Sequence, residues 1–139
     1  MAQLSPAPDD HTAQPDLNEG PVLAANAAFY DAFNRKDADA MARLWSDTHD
    51  ITCVHPGWNV LEGRDAVLES WRRILENPDQ PKIVSAAQSA QVLGSTAIVV
   101  GRELVAGSPI ATTNAFVWEN GSWRMILHHA SPVAIAGGA

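Results

Sequence analysis

Glu103, Asn114 and the adjacent pair His128 and His129 are polar residues set in otherwise apolar, strand-like stretches of this 139-residue chain. Ala97, Val99 and Gly101 alternate onto the same face as Glu103, so a strand there buries one carboxyl among apolar neighbours. Such a carboxyl has a raised pKa and can serve as acid or base. The competing arrangement is an ion pair with Arg102 or another arginine at the sheet end. Successive strand residues point to opposite faces, so only one of His128 and His129 can join Glu103 unless a bulge intervenes. The choice rests on the turn after Trp118. A two-residue Asn120-Gly121 turn pairs Trp118 with Trp123, whereas a three-residue turn with Gly121 as a bulge shifts the pairing by one. The bulged turn is preferred here. It sets Asn114, Phe116, Ile126 and His128 on the inner face and turns Trp123, Met125, Leu127 and His129 outward, making Glu103 and His128 the catalytic candidates.

His55 precedes a Pro56-Gly57 break, and an unperturbed imidazole titrates near neutrality. It is read either as a proton carrier or as a histidine hydrogen-bonded to its turn. Tyr30, His55, Trp58, Asn114 and Phe116 form the candidate ligand-binding set, with Tyr30 and Trp58 as walls and Trp45 and Trp71 as core. His55, Glu103 and His128 would make a two-histidine, one-carboxylate metal set if they converged. No HExxH, CxxC or EF-hand spacing supports one, so no metal is assigned. No glycine-rich phosphate cradle or nucleophile elbow is present, and no cofactor is expected. Cys53 falls mid-strand without a neighbour that would stabilise a thiolate. Asn120-Gly121-Ser122 fits a glycosylation sequon but reads better as a hairpin turn.

The elements that must position these groups follow from spacing. Val22, Ala25, Phe29 and Phe33 recur at three and four residues, predicting a helix over 22–36. Asp37 can cap a shorter second helix reaching Trp45. Residues 50–55 alternate as a strand, 59–62 can return as a second, and Gly63-Arg64-Asp65 opens a third helix that stops at Asn77-Pro78. Beyond Pro81 the pattern turns to β over 82–92, 96–105, 110–118 and 123–131, separated by short turns. Three helices followed by a long antiparallel meander predict an α+β fold whose sheet curves round the helices and leaves an open mouth.

Nine basic against sixteen acidic residues give a net charge of −7, which repels phosphate backbones and anionic lipid. Nucleic acid and membrane are therefore not expected partners, and no apolar run is long enough to cross a bilayer. From a single cysteine and a start lacking signal-peptide character, a cytoplasmic location is expected. Residues 1–18, rich in Pro and Asp, read as a flexible acidic tail, 19–133 as one folded domain and 134–139 as a second tail.

The segments AAFYDAFNRKDADAMARLW, HPGWNVLEGRDAVLESW and ENGSWRMILHHASP, with this order of elements, resemble the nuclear transport factor 2-like superfamily, particularly its SnoaL-like branch. The resemblance covers residues 20 to 133 and implies a cone: a strongly curved sheet on a long helix, with a pocket at the wide end. It puts the loop after His55 near the cone's mouth and also points to Asn114 as inward. It further implies dimerisation through the outer sheet face. Relatives include isomerases, cyclases, dehydratases, epoxide hydrolases and a non-catalytic kinase association domain, so enzyme status stays open. The isomerases use a tyrosine and aspartates, whereas the one tyrosine here, Tyr30, falls on a helix, and the epoxide hydrolases' Asp-Arg-Asp set finds no place in this sequence. Two functions are carried forward. One is acid–base chemistry of the isomerase, cyclase or dehydratase kind on a small, largely apolar or amphipathic molecule. The other is a non-catalytic ligand-binding or homodimeric assembly module.

Overall fold

The computed structural model describes residues 17–134. Of the two expected tails, all but Leu17, Asn18 and Ala134 lies outside the described residues. Helix α1 spans Gly20–Asn34, with Pro21 in its first turn, where a missing amide hydrogen costs nothing. Val22, Asn26, Phe29, Tyr30 and Phe33 form its buried face. It ends where Lys36 takes a positive φ of 57° and the Asp37 amide donates back to the Ala32 carbonyl at 3.0 Å. Asp37 then caps α2 (Ala38–Arg43), its Oδ1 accepting from the Ala40 amide at 2.9 Å. The short strands β1 (Thr52–Val54) and β2 (Leu61–Glu62) follow, then α3 (Arg64–Glu76). The meander is β3 (Ile83–Leu93), β4 (Thr96–Val105), β5 (Ser108–Glu119) and β6 (Ser122–Pro132).

The six strands make one sheet in the order β2-β1-β6-β5-β4-β3. All neighbours are antiparallel except β1 and β6, which run parallel with Cys53 opposite His128. This is the expected α+β architecture: a curved, open sheet with three helices. Phe29, Met41, Trp45, Val67, Val99, Phe116 and Met125 are fully buried between sheet and helices. Each large side chain of this kind contributes about 1.5–3 kcal/mol of transfer free energy.

Two irregularities aim the inner face. In β3, Ala86 pairs with Arg102 and Ser89 with Val100, so Ala87 and Gln88 together oppose Gly101, and Ala87 holds a positive φ of 55°. In β6, Leu127 pairs with Ala115 and Met125 with Phe116, leaving Ile126 as the extra residue. The hairpin turn itself is the tight one. Trp118 faces Trp123 and Glu119 faces Ser122, with positive φ at both Asn120 and Gly121, the signature of a two-residue type I′ turn.

The expected bulged turn is thus corrected: the extra residue sits inside β6, not at Gly121. Its consequence for the histidines is nevertheless the expected one, with His128 buried opposite Asn114 and His129 exposed. For the other end of β6 it is the reverse. Trp123 and Met125 are buried on the inner side with Phe116, not outward.

Candidate functional site

A cavity of about 240 Å³ opens at one end of the sheet. Its polar lining is His55, Glu103, His128 and Gln80; its apolar lining includes Phe33, Trp58, Trp71, Ile74, Ile83 and Val105. The volume lies below the roughly 300–1,000 Å³ of sites for drug-sized ligands. Neither lysine nor arginine lines it.

Glu103 projects from β4 on the face shared with Ala97 and Val99 and is 2% exposed. Its Oε2 accepts a 2.7 Å hydrogen bond from the Tyr30 hydroxyl on α1. Burial raises the Glu103 pKa and the tyrosine bond pulls it back only in part. Tyr30 itself is raised, by burial first and then by the neighbouring carboxyl. The ion pair with Arg102 does not form: Arg102 lies on the opposite, exposed face of β4.

His128 lies on β6 and His55 directly follows β1, the parallel strand beside it, so that their ring centroids are 6.4 Å apart. His55 is buried, with Nε2 2.9 Å from the Ser70 hydroxyl, which donates to the Val67 carbonyl at 2.7 Å. The carbonyl can only accept, so the serine oxygen takes the imidazole proton and His55 carries its hydrogen on Nε2. Trp71 and Trp58 meet this ring edge-on, at centroid distances of 4.6 and 4.7 Å. Burial lowers its pKa to about 4. His128 is packed against Phe29 and Trp71, and its Nδ1 lies 2.7 Å from Asn114 Oδ1. Burial, then the charges that His55 and His129 would carry, depress it to about 3. Both rings are neutral at neutral pH.

The structure brings Glu103, His55, His128 and Trp58 to one cavity. Tyr30, Asn114 and Phe116, the other expected wall and ligand residues, are placed elsewhere. None lines the cavity: Tyr30 stands behind Glu103, Asn114 behind His128, and Phe116 is deeper core. Trp71, read as core only, is both buried and a wall, because the aromatic spacing of α3 cannot tell an inner helix face from a cavity lining. Ser70 was missed for the same reason; its spacing from His55 carries no local signal. Cys53 is fully buried with its thiol pushed up to about 12 by burial, so it carries no nucleophile at neutral pH. Among the described residues no group of three His, Cys, Asp or Glu side chains is placed to hold a metal ion.

A curved, open sheet with three helices is the fold that this chain shares with known proteins. The model of the SnoaL-like domain matches residues 22–136. The chain belongs to the SnoaL-like domain family. A nuclear transport factor 2-like protein from Streptomyces avermitilis, provisionally assigned as a dehydratase, superposes on this SnoaL-like chain with a TM-score of 0.78. It is 31% identical, over 84% of this chain and 96% of the other. A calcium/calmodulin-dependent protein kinase type II association domain from Thiobacillus denitrificans, also a provisional assignment, gives 0.72 at 31% identity over 81% and 94%. The F-box protein SKIP8 of Arabidopsis thaliana is 27% identical over 116 residues, 82% of this chain and 50% of that protein, so the chain spans about half the length of this curated relative. No helix among the described residues is long and apolar enough to cross a membrane.

Proposed function

We propose that this SnoaL-like domain binds a small, uncharged, largely apolar molecule and moves a proton on it, in the manner of an isomerase, cyclase or dehydratase. The observation carrying this reading is the convergence of Glu103, His55 and His128 on one cavity with apolar and aromatic walls. Glu103 is the proton carrier, because burial raises its pKa and lets it take up a proton more readily than an exposed carboxylate does. The neutral imidazoles hold substrate oxygens. The absence of lysine and arginine from the lining favours an uncharged ligand, since a carboxylate would lose its hydration without a counter-ion. The likeness to a protein assigned as a dehydratase fits this class without naming a substrate.

The test is deuterium exchange and product formation on a panel of small hydroxyketones, ketones, lactones and epoxides, followed by NMR. Wild-type turnover that falls at least about 100-fold in Glu103→Gln, with ligand affinity kept, supports the reading. Ligand binding without turnover by the wild type overturns it and leaves a binding module.

A second reading, an assembly module, has its own observation. Val84 and Leu104 form a cross-strand pair on the exposed sheet face, with Val100 along the same strand, and all three are exposed. The likeness to a kinase association domain accords with it. A dimer by light scattering that Leu104→Glu dissociates supports this reading; a monomer at micromolar concentration removes it.

A further inference from the structure

Behind the cavity, four side chains run in single file from strand β3 to His128. Gln88 Nε2 donates to the Ala86 carbonyl at 2.9 Å and to the Arg102 carbonyl at 3.2 Å. Asn26 Nδ2 donates to Gln88 Oε1 at 3.0 Å, and Asn114 Nδ2 donates to Asn26 Oδ1 at 2.8 Å. Asn114 Oδ1 then faces His128 Nδ1 at 2.7 Å. The direction of the whole file is dictated at its start. Two backbone carbonyls can only accept, so the glutamine must turn its NH₂ toward them and its oxygen toward Asn26. Each amide has one oxygen and one NH₂, so that choice propagates unchanged to Asn114, whose oxygen requires a proton on the facing imidazole nitrogen.

We propose that Gln88, Asn26 and Asn114 form a one-way relay that fixes the proton of neutral His128 on Nδ1 and leaves Nε2 as the ring's hydrogen-bond acceptor at the cavity. His128 is then a group that accepts from a ligand hydroxyl, not one that donates to a carbonyl. This deepens the acid–base reading above and rests on it for the ligand, although not for the tautomer. Gln88, Asn26 and Asn114 are positioning residues.

Two features of the fold lie beside the first link of the relay. The β3 bulge puts two residues opposite one, which lets Gln88 fold back over the sheet toward α1. The residue it folds over is Gly101. A Cβ there would meet all three atoms of the Gln88 amide closer than real carbon contacts allow, whereas the φ of Gly101 is not in the left-handed region. A side chain at this position would therefore displace the glutamine amide, while the backbone itself would accept one.

The experiment is ¹⁵N-detected tautomer assignment of His128 in the full-length protein at neutral pH, with no ligand added. The expected result is a protonated Nδ1 and an unprotonated Nε2, in an excess of roughly tenfold, the ratio that about 1.4 kcal/mol of hydrogen-bond preference maintains. An Nε2–H tautomer in the wild type overturns the proposal. Gln88→Leu replaces a half-buried side chain, and Gly101→Ala displaces the same amide from the other side. Each is expected to lower the tautomer excess by several-fold while the fold, read by circular dichroism, is retained. An unchanged Nδ1–H population in both folded variants shows that the amides merely fill space and also overturns it. Should either variant fail to fold, the wild-type tautomer still decides. Because no substrate is involved, failure here is distinct from failure of the proposed chemistry.

Discussion

Glu103 and Glu119 are both buried glutamates on the central strands, and they are opposites. Glu103 receives one hydrogen bond, from Tyr30, and its pKa rises because burial outweighs that bond. Glu119, near the β5–β6 turn, receives four. The Ser46 and Thr48 hydroxyls, the Asp47 amide and His49 Nδ1 all converge on its two oxygens. Burial alone would raise its pKa; the donors overcome that and hold it near 2. Depth does not decide what a buried carboxyl does. The supply of donors does, and the difference separates a group held ionised to fasten residues 46–49 from one left short of partners beside a cavity.

The most damaging way to probe this contrast is Glu119→Ala, which strands four donors. We expect a loss of about 3 kcal/mol in urea unfolding at neutral pH, against no loss for Glu103→Gln, where an amide replaces a carboxyl that burial makes costly to ionise. Equal losses would erase the distinction.

Next comes the acid limb of stability. Glu119 has a folded pKa below its unfolded value, so its contribution is complete above about pH 4.5 and is lost as pH falls toward 2. The histidines follow the same sign over a higher window. His55 and His128 are depressed to about 4 and about 3, so their neutral-state contribution is complete above about pH 6.5 and drains away below it. Glu103 has the opposite sign: its contribution is complete below its unfolded pKa and declines as pH rises through the raised folded value. Unfolding free energies measured from pH 2 to 8 should therefore show Glu119→Gln flattening the profile below pH 4.5 and Glu103→Gln lifting it near neutrality.

Smaller still is Tyr30→Phe. Removing the hydroxyl takes away the bond that restrains Glu103, and a further upward shift of the Glu103 carboxyl is expected in ¹³C-detected titration, with a stability change of about 1 kcal/mol. A downward shift would mean that the phenol is not the donor.

Much of the fold was legible because its signals are local. The α1 stripe, the Asp37 cap, the break at Asn77-Pro78 and the meander turns all sit where residue chemistry puts them. The inward face of β4 was legible too, since alternation from Ala97 to Glu103 is uninterrupted. The β6 strand was not. Strand parity requires one extra residue between Trp118 and His128 if His128 is to face inward, and Gly121 looked like the place for it. Asn-Gly instead makes the tight turn it favours, and Ile126, an ordinary strand residue, absorbs the extra position. Nothing about an isoleucine announces a bulge. The same holds for Gln88 and Ser70, whose partners lie on other elements.

The narrow parallel seam between β1 and β6 joins the segment after the first two helices to the last strand, with Cys53 opposite His128. A folding intermediate in which the four long strands have zipped together but β1 has not docked would own most of the sheet's ladder and only one of the two facing imidazoles. Non-local parallel pairing is slow to close, so competence to bind should lag behind the appearance of β-structure during refolding.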